Sequence, residues 1–225
     1  MNTKIGLLGS MGKMGNAIIK VEKQFDIDLL KFSTNPNPDH EIMQSKDALY
    51  EASEIIIDFS SSVLAHEHIM LAEKYKKPIL IGTTGHENME IFKNKNIPIA
   101  YCPNTCLEWL LMKELIKDLS KLNPDYVTAI DDIHSYSKVD APSGTAKDLM
   151  YELGRECQTR SVRMPNLASW HRVSLFGKSQ VLHFEHQVLD RSIYAIGAIK
   201  LALQLVTCTT GLYTATDLLA NRENL

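Results

Sequence analysis

The chain has 225 residues, 44% of them hydrophobic and 23% charged, an ordinary globular composition that supports one or two cores. Its formal net charge of -3 gives no bulk attraction to nucleic acid or to an anionic membrane, so any bound anion needs local charge. No apolar run approaches the roughly 18 residues that span a bilayer, and no charged segment followed by a long apolar stretch opens the chain. The expectation is therefore a cytoplasmic protein with neither a membrane nor a nucleic acid as partner.

Residues 5–8 read as a buried strand and 15–21 as a helix. Strands follow at 27–32 and 55–57, the second ending at Asp58. A helix over 63–75 leads to strands at 79–81 and 97–101. Apolar strands separated by helices predict a parallel sheet covered on both faces. The pattern changes near Cys106: a longer helix over 107–122, a strand over 126–134, and a turn at Pro142 to Thr145 that opens a helix to about 153. Residues 159–189 hold β-type runs with no helix between them, which predicts an antiparallel or mixed sheet. A strong helix returns over 192–206. The fold class is α/β. It combines a doubly wound Rossmann-type domain over 1–105 and 191–225 with an inserted α+β domain over 106–190, for substrate binding and oligomerisation. Cys102, Cys106, Cys157 and Cys208 fit neither a disulfide framework nor a zinc pattern and read as reduced.

Gly9-Ser10-Met11-Gly12-Lys13-Met14-Gly15 lies between the first strand and the first helix. Glycines at this spacing allow a tight turn, close backbone approach to a pyrophosphate, and close packing of helix on sheet. The helix start then offers N–H groups to phosphate, and Lys13 adds a charge. The second strand ends Lys31-Phe32-Ser33-Thr34, without the acid that would hold ribose hydroxyls. Lys31, Ser33 and Thr34 read either as contacts for a 2′-phosphate or as a solvated strand end, so the cofactor stays open as NADPH or NADH. Asp58-Phe59-Ser60-Ser61-Ser62 and Gly82-Thr83-Thr84-Gly85 end the third and fourth strands, where open α/β sheets bind ligands.

The densest chemistry runs from Asp132 to Ala146. His134 ends a strand and can carry a proton near neutral pH. Lys138 supplies a cation, and Ser143-Gly144-Thr145 opens a helix whose N–H groups and hydroxyls suit a carboxylate. Taken singly these are a structural histidine, a surface lysine and a helix cap. Within twelve residues of one another they fit a carboxylate beside a centre that needs protonation, as hydride addition to an imine requires.

This segment resembles the pattern Glu-x-His-His-x-x-Lys-x-Asp-x-Pro-Ser-Gly-Thr-Ala of dihydrodipicolinate reductases. His134, Lys138, Asp140 and Pro142 to Ala146 match in register. The glycine loop, Asp58-Phe59-Ser60, Gly82 to Gly85 and Pro103-Asn104 are similar too, so the likeness covers nearly the whole chain. It implies reduction of 4-hydroxy-tetrahydrodipicolinate by NADPH or NADH, in lysine and diaminopimelate biosynthesis. By the same likeness His134 is the acid/base and Lys138 the proton donor. Ser135, Ser143, Gly144 and Thr145 meet substrate. Gly9, Ser10, Met11, Gly12, Lys13, Met14, Ser33, Gly82, Thr83, Thr84, Cys102, Pro103, Asn104 and Thr105 line the cofactor. A homotetramer built through the β-rich domain is implied as well.

The chain departs from the family at several places. Ser135 replaces the family's second histidine, and Cys106 stands where serine is usual. The family's Arg-x-Gly-x-x-x-Gly-x-His appears as Arg163 to His171 with Pro165 and Ser169 in place of the glycines. The chain is also shorter than most members, which predicts trimmed loops. These changes keep two alternatives open: a dinucleotide-binding regulatory module, or a different two-lobe NAD(P)-dependent dehydrogenase, for instance one acting on a semialdehyde. No convincing cluster of metal-binding residues is legible: His66 and His68 diverge on a helix, and His183 and His186 on a strand. No metal is expected.

Overall fold

The computed structural model describes residues 2–35, 41–86, 88–136, 138–154, 156–165 and 168–220. Ser137, Asn166 and Leu167, which fall within the two motifs above, and 221–225 of the expected first domain lie outside the described residues. The chain divides into two compact units, Met1–Leu107 with Arg191–Leu225, and Glu108–Asp190.

In chain order the first unit begins β1 (Thr3–Leu8), α1 (Lys13–Val21), β2 (Ile27–Phe32), α2 (Lys46–Ala52), β3 (Ile55–Asp58), α3 (Ala65–Tyr75), β4 (Ile79–Ile81) and β5 (Pro98–Tyr101). Then come α4 (Leu107–Leu122), β6 (Val127–Ser135), α5 (Gly144–Leu153), β7 (Cys157–Met164), β8 (Ser169–Phe176) and β9 (Val181–Val188). The chain closes with α6 (Ser192–Val206), β10 (Gly211–Thr214) and α7 (Ala215–Ala220).

The first unit is a six-stranded sheet in the order β10-β5-β4-β3-β1-β2, and every pairing is parallel. Its central strands are covered on both faces: Ile55, Ile56, Ile57, Ile79, Leu80 and Ile81 have no exposure at all. The apolar α6 packs on β3, β4, β5 and α1, and it buries Ala195, Ala198, Ile199, Leu201, Ala202 and Leu205. The sheet has one strand more than the five expected. β10 is four residues at the edge, with no hydrophobic run to announce it, and only its register with β5 makes it a strand. The short α2, capped by the Ser45 hydroxyl at 3.1 Å from the Ala48 N–H, was equally without a periodic signal.

The second unit is a mixed sheet in the order β7-β6-β8-β9. β6 and β7 are parallel, while β6–β8 and β8–β9 are antiparallel. Along β6 the alternate residues Thr128, Ile130, Asp132 and His134 are buried, which marks one face as interior. Trp109 of α4 lies on that face, its ring 5.1 Å from His171 and 5.9 Å from His186. Lys113 ties α4 to α5 through Asp148 (2.7 Å) and Glu152 (2.6 Å).

Candidate active site

At the carboxyl ends of β1, β2 and β3 the first unit has a cavity of about 210 Å³. β1 pairs with β2 on one side and β3 on the other, so the cavity sits where the strand order reverses, the usual ligand position in such sheets. Gly9 has φ +79°, and its N–H donates to the Phe32 carbonyl at 3.1 Å. A Cβ on Gly15 would lie 2.4 Å from the Gly9 oxygen, so the loop and α1 touch only because that position is glycine. A Cβ on Gly12 would meet nothing but the Gly9 oxygen, at 3.2 Å, so the space above Gly12 belongs to the cavity. This cradle fits the phosphates of a dinucleotide.

Of the predicted cofactor residues, Gly9, Gly12 and Ser33 line this cavity, joined by Thr34, Lys46, Phe59, Ser60, Ser61 and His68. Met11 lies in the same loop, Lys13 and Met14 open α1, and all three are at least partly exposed. Gly82, Thr83 and Thr84 follow β4, and Cys102, Pro103, Asn104 and Thr105 follow β5. Several side chains expected to meet the cofactor are turned inward instead. The Ser10 hydroxyl, fully buried, donates to the Phe32 carbonyl at 3.1 Å. Cys102 is buried, and that burial pushes its thiol well above the usual range. The Thr105 hydroxyl donates to the Tyr194 carbonyl at 2.7 Å, and Asn104 Oδ1 accepts from the Cys106 N–H at 2.9 Å. Ser10, Cys102 and Thr105 therefore offer a ligand only backbone. Lys31 borders a different cavity, on the outer side of β2.

The second unit gathers its chemistry around Asp132. Strand register sets Ser161, Asp132, His171 and His186 in one row across β7, β6, β8 and β9, with Arg163 and His134 in the next row. Asp132 Oδ2 accepts from the Ser143 backbone N–H (2.8 Å), the Ser161 hydroxyl (3.1 Å) and Arg163 Nη2 (3.1 Å). Its Oδ1 lies 3.0 Å from His134 Nδ1 and 3.3 Å from His171 Nε2. Burial by itself would raise this carboxyl, but hydrogen bonds to His134, His171 and Ser143 outweigh it and hold Asp132 far below the usual carboxylate range.

A second aspartate works beside the first. Asp140 Oδ1 pairs with Lys138 Nζ at 2.9 Å, while its Oδ2 accepts from the Gly144 N–H at 3.1 Å. Arg163 also donates to the backbone carbonyls of Asp132, Lys138 and Asp140, which fixes the loop between β6 and α5. Two aspartates thus each bridge one proton-carrying side chain to one N–H at the start of α5: Asp132 joins His134 to Ser143, and Asp140 joins Lys138 to Gly144. The expected convergence of His134, Lys138 and the helix start is present within this unit.

Ser143 is a correction among the expected substrate contacts. Its hydroxyl is buried, accepts from the Ala146 N–H at 3.3 Å and lies 3.2 Å from His171 Nε2, so it caps α5 and braces the cluster from inside. Ser135 and Thr145 are half-buried, and Gly144 is exposed. Asp132, Arg163 and His171 were missed as site residues. A signal did exist: Arg163 and His171 are what the chain retains of the glycine-containing pattern, and both converge on Asp132. The reading that no metal-type cluster exists also changes. Ligand atoms of Asp132, His134 and His171 lie within 4.8 Å of one another. Asp132 Oδ2 is satisfied by a guanidinium, a hydroxyl and an N–H, whereas Oδ1 and His134 Nδ1 face each other at 3.0 Å without a well-aligned hydrogen bond.

Family models describing the N-terminus and the C-terminus of dihydrodipicolinate reductase match residues 3–105 and 109–219. The 4-hydroxy-tetrahydrodipicolinate reductase of Rickettsia bellii (strain OSU 85-389) is 31% identical, over 100% of this chain and 97% of its own length. That of Zymomonas mobilis subsp. mobilis (strain ATCC 31821 / ZM4 / CP4) is 32% identical over 97% of each. Among solved structures, a dipicolinate-bound dihydrodipicolinate reductase from Paenisporosarcina sp. TG-14 aligns with TM-score 0.82 at 19% identity, covering 95% of this chain and 98% of that one. At that identity the likeness is one of fold.

Proposed function

Because the chain belongs to the dihydrodipicolinate reductase family, we propose that it reduces 4-hydroxy-tetrahydrodipicolinate to tetrahydrodipicolinate, with loss of water, in lysine and diaminopimelate biosynthesis. A reduced nicotinamide, NADPH or NADH, supplies the hydride. The observation that carries the reading is the paired aspartate arrangement at the start of α5.

Asp132 holds His134 through Nδ1, which leaves Nε2 as the nitrogen that exchanges a proton with the substrate. Lys138 provides the second proton and a positive charge for a ring carboxylate. Asp140 takes both the ammonium and the Gly144 N–H, and a substrate carboxylate competes for those same two donors. Thr145 adds a hydroxyl at the same helix start. The cavity over Gly12 seats the dinucleotide phosphates. Among the described residues no helix is long and apolar enough to cross a membrane. Assembly as a homotetramer through the β-rich unit accords with the exposed apolar residues Phe176 and Val181 on β8 and β9.

Purified protein given the cyclic imine should oxidise reduced nicotinamide. His134→Ala should abolish most turnover and leave dinucleotide binding nearly intact. Binding without turnover at high substrate would point to a regulatory module, and turnover only with a semialdehyde would point to a different dehydrogenase.

A further inference from the structure

We propose that the cavity of the first unit selects a dinucleotide whose adenosine ribose carries a 2′-phosphate, with Lys46 facing that phosphate and His68 forming the polar floor beneath the ribose. This deepens the reductase reading and rests on it.

The first support is the absence of an acid. A ribose with free hydroxyls is held by a carboxylate at the end of the second strand, and a carboxylate there repels a phosphate. The described residues lining this cavity include no Asp or Glu, and the end of β2 presents Ser33 and Thr34 instead. Two hydroxyls at that place can donate to phosphate oxygens.

The second support is Lys46. It is the first residue of α2, a helix without a clear sequence signal, and the fold carries it to the cavity wall beside Ser33 and Thr34. Its ammonium lies 2.6 Å from Glu67 Oε1, which fixes the side chain in place. Glu67 is about half-exposed and is not among the residues that line the cavity, whereas Lys46 is. An ammonium has three donors, and one carboxylate oxygen leaves others for a phosphate.

The third support is His68. Its ring is only 1% exposed, and Nδ1 lies 2.7 Å from Asp58 Oδ2. Nε2 is buried without a hydrogen-bond partner, on a residue that lines the cavity. A buried polar nitrogen with nothing to bond is costly unless a ligand completes it. A ribose or phosphate oxygen at the cavity floor does so, while Asp58 holds the ring from its Nδ1 side.

The test is calorimetric and needs no turnover. The purified protein is titrated with 2′,5′-ADP and with 5′-AMP, the adenosine halves with and without the extra phosphate. We expect 2′,5′-ADP to bind at least about tenfold tighter, the worth of one charge-assisted hydrogen bond. Lys46→Ala should remove most of that difference, lowering 2′,5′-ADP affinity far more than 5′-AMP affinity, and Lys46→Arg should restore it. Equal affinity for the two ligands, or an equal loss of both in Lys46→Ala with the fold intact by circular dichroism, overturns the proposal and leaves the reductase reading standing. If neither nucleotide binds, the dinucleotide reading itself fails.

Discussion

Replacing Asp132 by Asn is the most informative single perturbation of the site. The side chain keeps its size but loses its charge, and one oxygen becomes an NH2. The remaining amide oxygen can still accept from Ser143, Ser161 or Arg163 on the Oδ2 side. The NH2 then faces His134 Nδ1, now 3.0 Å from the carboxylate, and obliges that nitrogen to accept rather than donate. What is lost at His134 is the pull of a buried carboxylate 3.0 Å from Nδ1, an interaction with a charged group worth about 1.5–3 kcal/mol. At about 1.36 kcal/mol per tenfold in rate, kcat should fall about ten- to a hundredfold. KM for the dinucleotide should stay within about twofold, because the cradle belongs to the other unit. Steady-state kinetics across pH, alongside thermal melting, measures both effects. A lower melting temperature with kcat of the folded enzyme within about twofold of the parent would refute the positioning role and leave Asp132 a structural tie.

Other outcomes follow from the same geometry. Lys138→Met should cut kcat at least about tenfold, yet barely change the melting temperature, since its half-exposed pair with Asp140 contributes only about 0–1 kcal/mol. Thr145→Val should raise KM for the dicarboxylate several-fold and leave dinucleotide affinity unaltered, as separate titrations would show. Gly15→Ala places a Cβ 2.4 Å from the Gly9 backbone oxygen, and chemical denaturation should register a loss of about 1–3 kcal/mol. Stability should also fall with acid. The Asp132 carboxyl is lowered in the folded state, so its contribution is complete above the unfolded value near ~3.9 and disappears as pH drops below it. Asp132→Asn should flatten that dependence in pH-resolved melts, and an unchanged acid limb would contradict it.

Much of the site was legible locally. Gly9 to Gly15 occupies the strand-to-helix junction its spacing predicts, and the run from His134 to Ala146 does end one strand and open one helix. Elements with long apolar runs, such as β3, α4 and α6, were equally plain. What escaped were short elements and inward rotations. Residues 211–214 carry no pattern that distinguishes an edge strand from a loop. Ser10, Cys102 and Thr105 belong to motif stretches, but a motif specifies a backbone path and not which hydroxyl or thiol the core absorbs. Ser143 was read as a substrate contact when its hydroxyl caps α5 from within.

By itself the sequence determined the family, the two kinds of layer and the identity of the proposed acid, lysine and helix start, because those features depend on neighbours a few residues apart. Only the tertiary structure decided that residues 132, 161, 163 and 171 share one carboxylate, or that Lys46 and His68 meet Ser33 across one cavity. The physical reason is register: a one-residue slip between β6 and β8 would send His171 to the opposite face of the sheet, and no local pattern in either strand fixes that alignment.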